Sequence, residues 1–146
     1  MRLAGKTAIV TGGASGFGAG IVRKFAEEGA NVMVADLNMD LARDVAAEVG
    51  GIAHQVDVSK DADVAAMVAA ARAQMGDIDI LVNNAGITHL PKPMEEVTED
   101  EFDRVWAVNC KSVYLTAKHA VPLMKAAGKG AVLINTPTMP IDAKKL

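Results

Sequence analysis

Thr11-Gly12-Gly13-Ala14-Ser15-Gly16-Phe17-Gly18 separates two stretches of different periodicity. Before it, Lys6-Thr7-Ala8-Ile9-Val10 is a short, β-branched, apolar run that reads as a buried strand; after it, Ile21, Val22, Phe25 and Ala26 recur at helical spacing. The glycines therefore sit where a strand turns sharply into a helix. At such a turn glycine lets the backbone take positive φ and lets an anion approach main-chain N–H groups, while the positive end of the helix dipole favours negative charge. The stretch reads as a phosphate-binding turn. Its spacing, Gly12-x-x-x-Gly16-x-Gly18, departs from the Gly-x-Gly-x-x-Gly dinucleotide fingerprint and from the P-loop, which requires Gly-Lys-Ser/Thr.

Working outward, three more landmarks fall in register with a nucleotide fold. The apolar run Asn31-Val32-Met33-Val34-Ala35 ends in Asp36, 18 residues past Gly18, where an acidic residue can accept hydrogen bonds from both hydroxyls of an adenosine ribose. A third run, with Ile52, His54 and Val56 alternating, ends in Asp57-Val58. A fourth, Ile78 to Val82, ends in Asn83-Asn84-Ala85-Gly86. Between these runs lie helical patterns. The first ends at Gly29; the second starts at Asn38 or Asp40 and carries Leu41, Val45 and Val49; the third is capped by Ser59 or Asp61, faces inward with Val64, Met67, Val68, Ala71 and Met75, and stops at Gly76. Thr98-Glu99-Asp100-Glu101 is a capping box that opens one long helix to about Ala126. Its expected buried stripe is Phe102, Val105, Trp106, Val113, Ala117, Ala120 and Met124, and Asn109 falls on it. A buried amide must find partners or cost roughly 1–3 kcal/mol, so Asn109 is either a core residue bonded to backbone or part of a site. Ala131-Val132-Leu133-Ile134 reads as a fifth strand, and residues 137–146 have no periodicity. Strands alternating with helices imply a parallel sheet with right-handed crossovers, hence an α/β fold.

At 146 residues, 51% of them apolar and 23% charged, the chain is long enough to bury one core, here assigned to residues 1–136. The net charge of −3 argues against a surface for nucleic acid or an anionic membrane and leaves small molecules and other protein chains as partners. No run is long enough for a membrane span or a signal peptide, because Lys6 interrupts the amino-terminal apolar residues. The single cysteine, Cys110, excludes an intramolecular disulfide, fits a cytoplasmic location, and is expected to be a small buried side chain. His54, His89 and His119 share no metal-ligand spacing, so no metal is expected.

The glycine turn with Asn83-Asn84-Ala85-Gly86, and Asn109 on a later helix, resembles the short-chain dehydrogenase/reductase family over most of the chain, from Leu3 to about Asn135. The resemblance implies a doubly wound Rossmann sheet of order 3-2-1-4-5 and oxidation of a secondary alcohol or reduction of a ketone with NAD. It also implies helices that pack against those of other subunits, hence a homo-oligomer. Carried onto this sequence, cofactor contacts fall on Thr11, Gly12, Ser15, Gly16, Phe17, Gly18, Asp36, Leu37, Asp57, Val58, Asn84, Ala85 and Gly86, with the Thr11 hydroxyl tying the asparagine segment back to the turn. NAD rather than NADP is expected, because neither Ser15 nor Leu37 is a cation and Asp36 would repel a 2′-phosphate. Asn109 matches a residue that distorts its helix and holds a water in the proton relay. The catalytic serine of the family falls on Thr138 when counted from Asn135-Thr136 and on Pro137 when counted from Gly130. The Tyr-x-x-x-Lys that should follow is absent from residues 139–146. Tyr114 and Lys118 match its letters but precede the fifth strand, so Tyr114 is expected to pack its helix. Two classes of function follow: the amino-terminal portion of a dehydrogenase, inactive alone, or a nucleotide-binding or subunit-interaction protein without hydride transfer.

Overall fold

The structure, a computed structural model, describes residues 1–128 and 132–135. Five strands, β1 (Thr7–Thr11), β2 (Asn31–Asp36), β3 (Ile52–Gln55), β4 (Ile80–Asn83) and β5 (Val132–Asn135), form one parallel sheet in the order 3-2-1-4-5. The order reverses between β1 and β4, so the glycine turn and the Asn84 segment leave the sheet side by side at its carboxyl edge. Alternate residues of the strands feed two cores, as their period of two requires. Ile9, Met33 and Leu81 point to one face, covered by α3 (Asp61–Met75) and α5 (Ser112–Ala127). Ala8, Val10, Val32, Val34 and Val82 point to the other, covered by α1 (Gly16–Glu27) and α2 (Met39–Val49). Every residue of β1 is buried, as expected of a central parallel strand. At the opposite edge Asp79 accepts from the Thr7 N–H at 3.0 Å and pairs with Lys6 Nζ at 3.1 Å, joining the starts of β1 and β4.

Several local expectations are corrected. Asn38 caps α2 by accepting from the Leu41 N–H, and the buried face is Ala42, Val45 and Ala46; Leu41 lies one residue off that face and is 45% exposed. Neither Ser59 nor Asp61 caps α3, where Lys60 is the N-cap residue. The Ser59 hydroxyl is held by Asp57 at 2.6 Å, and Asp61 reaches across to Lys118 and His119 of α5.

The single long helix read from periodicity is three pieces, broken at Asn109, where the resemblance implies a distortion. α4 (Glu99–Trp106) carries the expected capping box, then Ala107–Lys111 winds as a π-turn, and α5 continues from Ser112. A π-turn inserts an extra residue into the helical hydrogen-bond register and so rotates the following face by about 100°. Just after the break α5 buries Ser112, Leu115 and Thr116 in place of the expected Val113 and Ala117, while Ala120 and Met124 are buried as expected. On the far side of the break Phe102 and Trp106 are 61% and 57% exposed and stack on each other with centroids 6.5 Å apart. Tyr114 and Cys110 are likewise exposed, not packed. Among the described residues no helix is long and apolar enough to cross a membrane, and no cluster of potential metal ligands occurs.

Candidate functional site

A cleft of about 810 Å³ opens over the carboxyl ends of β1, β2 and β4. Its floor is the glycine turn, where Gly12 and Gly16 have φ of +62° and +52°, values that side chains of L residues resist. A Cβ on Gly12 would lie 2.9 Å from Ala85 Cα; one on Gly18 would run into the Gly12 carbonyl oxygen and come within 2.6 Å of Asn84 Nδ2. At Gly12 and Gly18 the backbone is thus packed with no space for a methyl group, whereas Gly16 is required by its φ alone. Ser15, the N-cap residue of α1, makes no side-chain cap hydrogen bond, so the helix N-terminus faces the cleft with its dipole uncapped by that hydroxyl.

The turn and the segment after β4 are bonded into one unit. Thr11 Oγ1 donates to the Val82 carbonyl and accepts from the N–H groups of Asn84 and Ala85 at 3.1 and 3.2 Å. The Asn84 amide donates to the carbonyls of Thr11 and Gly12, both at 3.1 Å. Behind it a polar line runs from α5 to β5: Thr116 Oγ1 donates to Asn83 Oδ1 at 2.7 Å, and Asn83 Nδ2 donates to Asn135 Oδ1 at 2.8 Å.

Two carboxylates line the cleft. Asp36 accepts from the Asn38 N–H on one oxygen and the Ala14 N–H on the other, at 3.0 and 3.1 Å, so it braces the turn as well as facing the cleft. With about four acceptor sites on a carboxylate, two remain for a ligand. Asp57 accepts from both the hydroxyl and the N–H of Ser59; that hydroxyl bond, chiefly, holds its pKa below the ordinary aspartate value, with Lys60 assisting, so it is an anion at neutral pH.

Of the residues expected to meet a cofactor, Gly12, Ser15, Gly16, Phe17, Gly18, Asp36, Leu37, Asp57, Val58, Asn84, Ala85 and Gly86 all line this cleft, and Thr11 lies beneath it. Asn109 is brought to its rim but turned to the backbone: Nδ2 donates to the Ile87 carbonyl and Oδ1 accepts from the Ile87 N–H, each at 2.8 Å. Both contacts are to backbone, and Asn109 is half-buried. Thr138, Pro137 and the tail 137–146 lie outside the described residues. Ile87, Val108 and Arg104 also line the cleft and were not anticipated. Arg104 and Val108 are one helical turn apart, a spacing that would have flagged them only if α4 were known to overhang the sheet.

Residues 6–139 match the short chain dehydrogenase family. The chain is 53% identical over 140 residues to the 4-formylbenzenesulfonate dehydrogenase TsaC1/TsaC2 of Comamonas testosteroni, covering 92% of this chain and 55% of that protein. It is 42% identical to the momilactone A synthase of Oryza sativa subsp. japonica, covering 90% and 50%. Among solved structures it is similar to a 3-ketoacyl-(acyl-carrier-protein) reductase from Brucella melitensis complexed with NADH, with a TM-score of 0.87 at 45% identity, over 90% of this chain and 56% of that one. The chain therefore spans about half the length of the relatives it matches.

Proposed function

Because the chain belongs to the short-chain dehydrogenase family, we propose that its cleft binds NAD and that it is the nucleotide-binding portion of an oxidoreductase acting between a secondary alcohol and a ketone. One observation carries this reading. The glycine turn and the Asn84 segment are locked into a floor with no space for a Cβ at Gly12 or Gly18, in a cleft also lined by two carboxylates able to accept hydrogen bonds.

On this floor the N–H groups from Gly12 to Gly18, with Ser15 and Phe17 at the rim, would take the pyrophosphate against the start of α1. Asp36, with Leu37 beside it, would accept from the ribose hydroxyls, Asp57 from the exocyclic amine of adenine, and Val58 would meet the base through its backbone. Asn84, Ala85 and Gly86 lie close enough to the turn to approach a ribose. When bound, NAD supplies the hydride chemistry. Asn109 holds the Ile87 backbone in place and so shapes the cleft rim; Thr138 would stand at the serine position. The Rossmann unit is assigned to residues 1–136, of which the structure describes 1–128 and 132–135, and a cytoplasmic homo-oligomer fits the composition and the exposed aromatic pair.

Calorimetric titration with NAD and NADP tests the cofactor assignment. Asp36 against a 2′-phosphate favours NAD by about tenfold or more, and equal or reversed affinities would refute its role. Turnover is a separate matter. The one tyrosine of the chain, Tyr114, is exposed on α5, and general acid–base assistance is typically worth 10²–10⁴-fold. These 146 residues alone are expected to bind NAD without measurable alcohol oxidation. An ordinary enzymatic rate that disappears in Tyr114→Phe would overturn that expectation. A purely nucleotide-binding or subunit-interaction role is the second reading, favoured by the exposed Phe102–Trp106 pair; a Tyr-x-x-x-Lys encoded downstream of Leu146 would count against it.

A further inference from the structure

Arg104 is a cation on the cleft wall whose side chain, among the described residues, has no ion pair or hydrogen bond. Two acids stand one turn earlier on α4. Glu101 is already committed, with Lys92 Nζ 2.7 and 2.8 Å from its two oxygens and the Thr98 N–H donating to it at 2.9 Å, and Asp100 makes no ion pair with Arg104 among the described residues. The guanidinium is left for whatever enters the cleft. Among the lining residues described, it is the only cation, against the two carboxylates of Asp36 and Asp57. The ligand must therefore offer hydrogen-bond donors to two acids and an electron-rich or anionic surface to an arginine.

Which surface it offers follows from the two faces of the sheet. Val108, one turn after Arg104 on the same side of the helix, packs against the core that contains Val56 and Val58. Ala14 and Ala19, which flank the phosphate-binding turn, belong to the core on the opposite face. Arg104 thus shares the cleft with Asp57 and Val58, and its neighbour Val108 packs on the core face to which Val58 belongs, whereas the residues beside the phosphate-binding turn belong to the other. Resting on the dinucleotide reading above, we propose that Arg104 stacks its planar guanidinium on the adenine ring held by Asp57 and Val58, closing the base subsite and leaving the phosphates to the glycine turn. Arginine is suited to this because its guanidinium is flat, weakly hydrated and attracted to an aromatic face.

The test compares ADP, which has base and phosphates, with adenosine, which has the base alone, by titration calorimetry on the unaltered chain, Arg104→Ala and Arg104→Lys. Arg104 is exposed and, among the described residues, makes no ion pair, so both variants should melt as the parent does. Arg104→Ala should weaken ADP and adenosine by the same factor, about two- to fivefold, with little dependence on salt, and Arg104→Lys should recover only part of the loss. Weakening of ADP with adenosine unchanged would place the arginine on phosphate and overturn the inference, as would no change in either ligand. If these two ligands still bind and Asp36→Asn weakens both while Arg104→Ala weakens neither, the cofactor reading stands and this inference alone falls. If the unaltered chain takes up neither ADP nor NAD, both fall.

Discussion

At Thr11 a single hydroxyl serves one carbonyl and two N–H groups, all of them buried or nearly so, at the junction of β1 with the segment after β4. Valine there would keep the shape and orphan both donors. Since each buried unsatisfied group costs roughly 1–3 kcal/mol, Thr11→Val should destabilise by about 2–4 kcal/mol in urea denaturation. A loss near zero would mean that water replaces the hydroxyl. The glycines allow a paired comparison. A Cβ at Gly18 would strike the Gly12 carbonyl, whereas one at Gly20, two residues further along α1, meets nothing within 4 Å. Gly18→Ala should therefore cost about 1–3 kcal/mol through displaced backbone and lower nucleotide affinity by more than tenfold. Gly20→Ala should stabilise α1 by up to about 1 kcal/mol and leave affinity unchanged, because alanine is the better helix former.

At the scale of elements, α4 is set by its own first turn more than by packing, for none of its residues is buried. Its Thr98–Glu101 capping box is reinforced by Lys92, and these bonds, Lys92 first, lower the Glu101 pKa from 4.5 to about 2. A carboxylate whose folded pKa is depressed contributes stability that is fully present above its unfolded value and is lost as pH falls through the folded one. The melting temperature of Glu101→Gln should therefore lie below that of the parent at pH 6–7, and the gap should close between about pH 4.5 and pH 2. A gap that persists at pH 2 would assign the effect to something other than this charge. The π-turn after α4 presents Asn109 to Ile87 as a two-point clasp. Asn109→Leu leaves a donor and an acceptor of the Ile87 backbone unmet, and amide exchange at Ile87 should quicken before global unfolding does.

For the molecule as a whole, the decisive feature is β5, which among the described residues pairs only with β4 and whose Leu133 is 40% exposed. Strands of parallel sheets are ordinarily covered on both faces, and an apolar unpaired edge recruits another strand. The stacked Phe102 and Trp106 add a second uncovered apolar surface. The 146-residue chain is expected to self-associate in light scattering, and Leu133→Lys should shift it toward monomer. A monodisperse, cooperatively melting monomer of the unaltered chain would refute this.

What the sequence determined by itself was whatever depends on neighbours within a turn or two. The alternation of apolar runs and helical stripes implied five strands, and the order 3-2-1-4-5 came with the family resemblance. The spacing of Gly12, Gly16 and Gly18 located the strand-to-helix turn, and Thr98 with Glu101 marked the start of α4, because positive φ and a capping box are local demands. The resemblance also implied that the Thr11 hydroxyl ties the asparagine segment to the turn, and that bond, across 73 residues of chain, makes a floor out of two separate loops. Tertiary structure decided two further matters. Asp36 proved to brace the turn as well as face the cleft, a contact invisible until β2 lies beside β1. Arg104 joined the cleft because the fold brings the end of α4 to its wall, and Lys92 holds one of its acidic neighbours, Glu101. The misread face of the long helix has the same origin. One extra residue in a π-turn changes which carbonyl each N–H reaches, and since every residue carries the same main-chain groups, side-chain periodicity holds no record of the slip until the helix packs on the sheet.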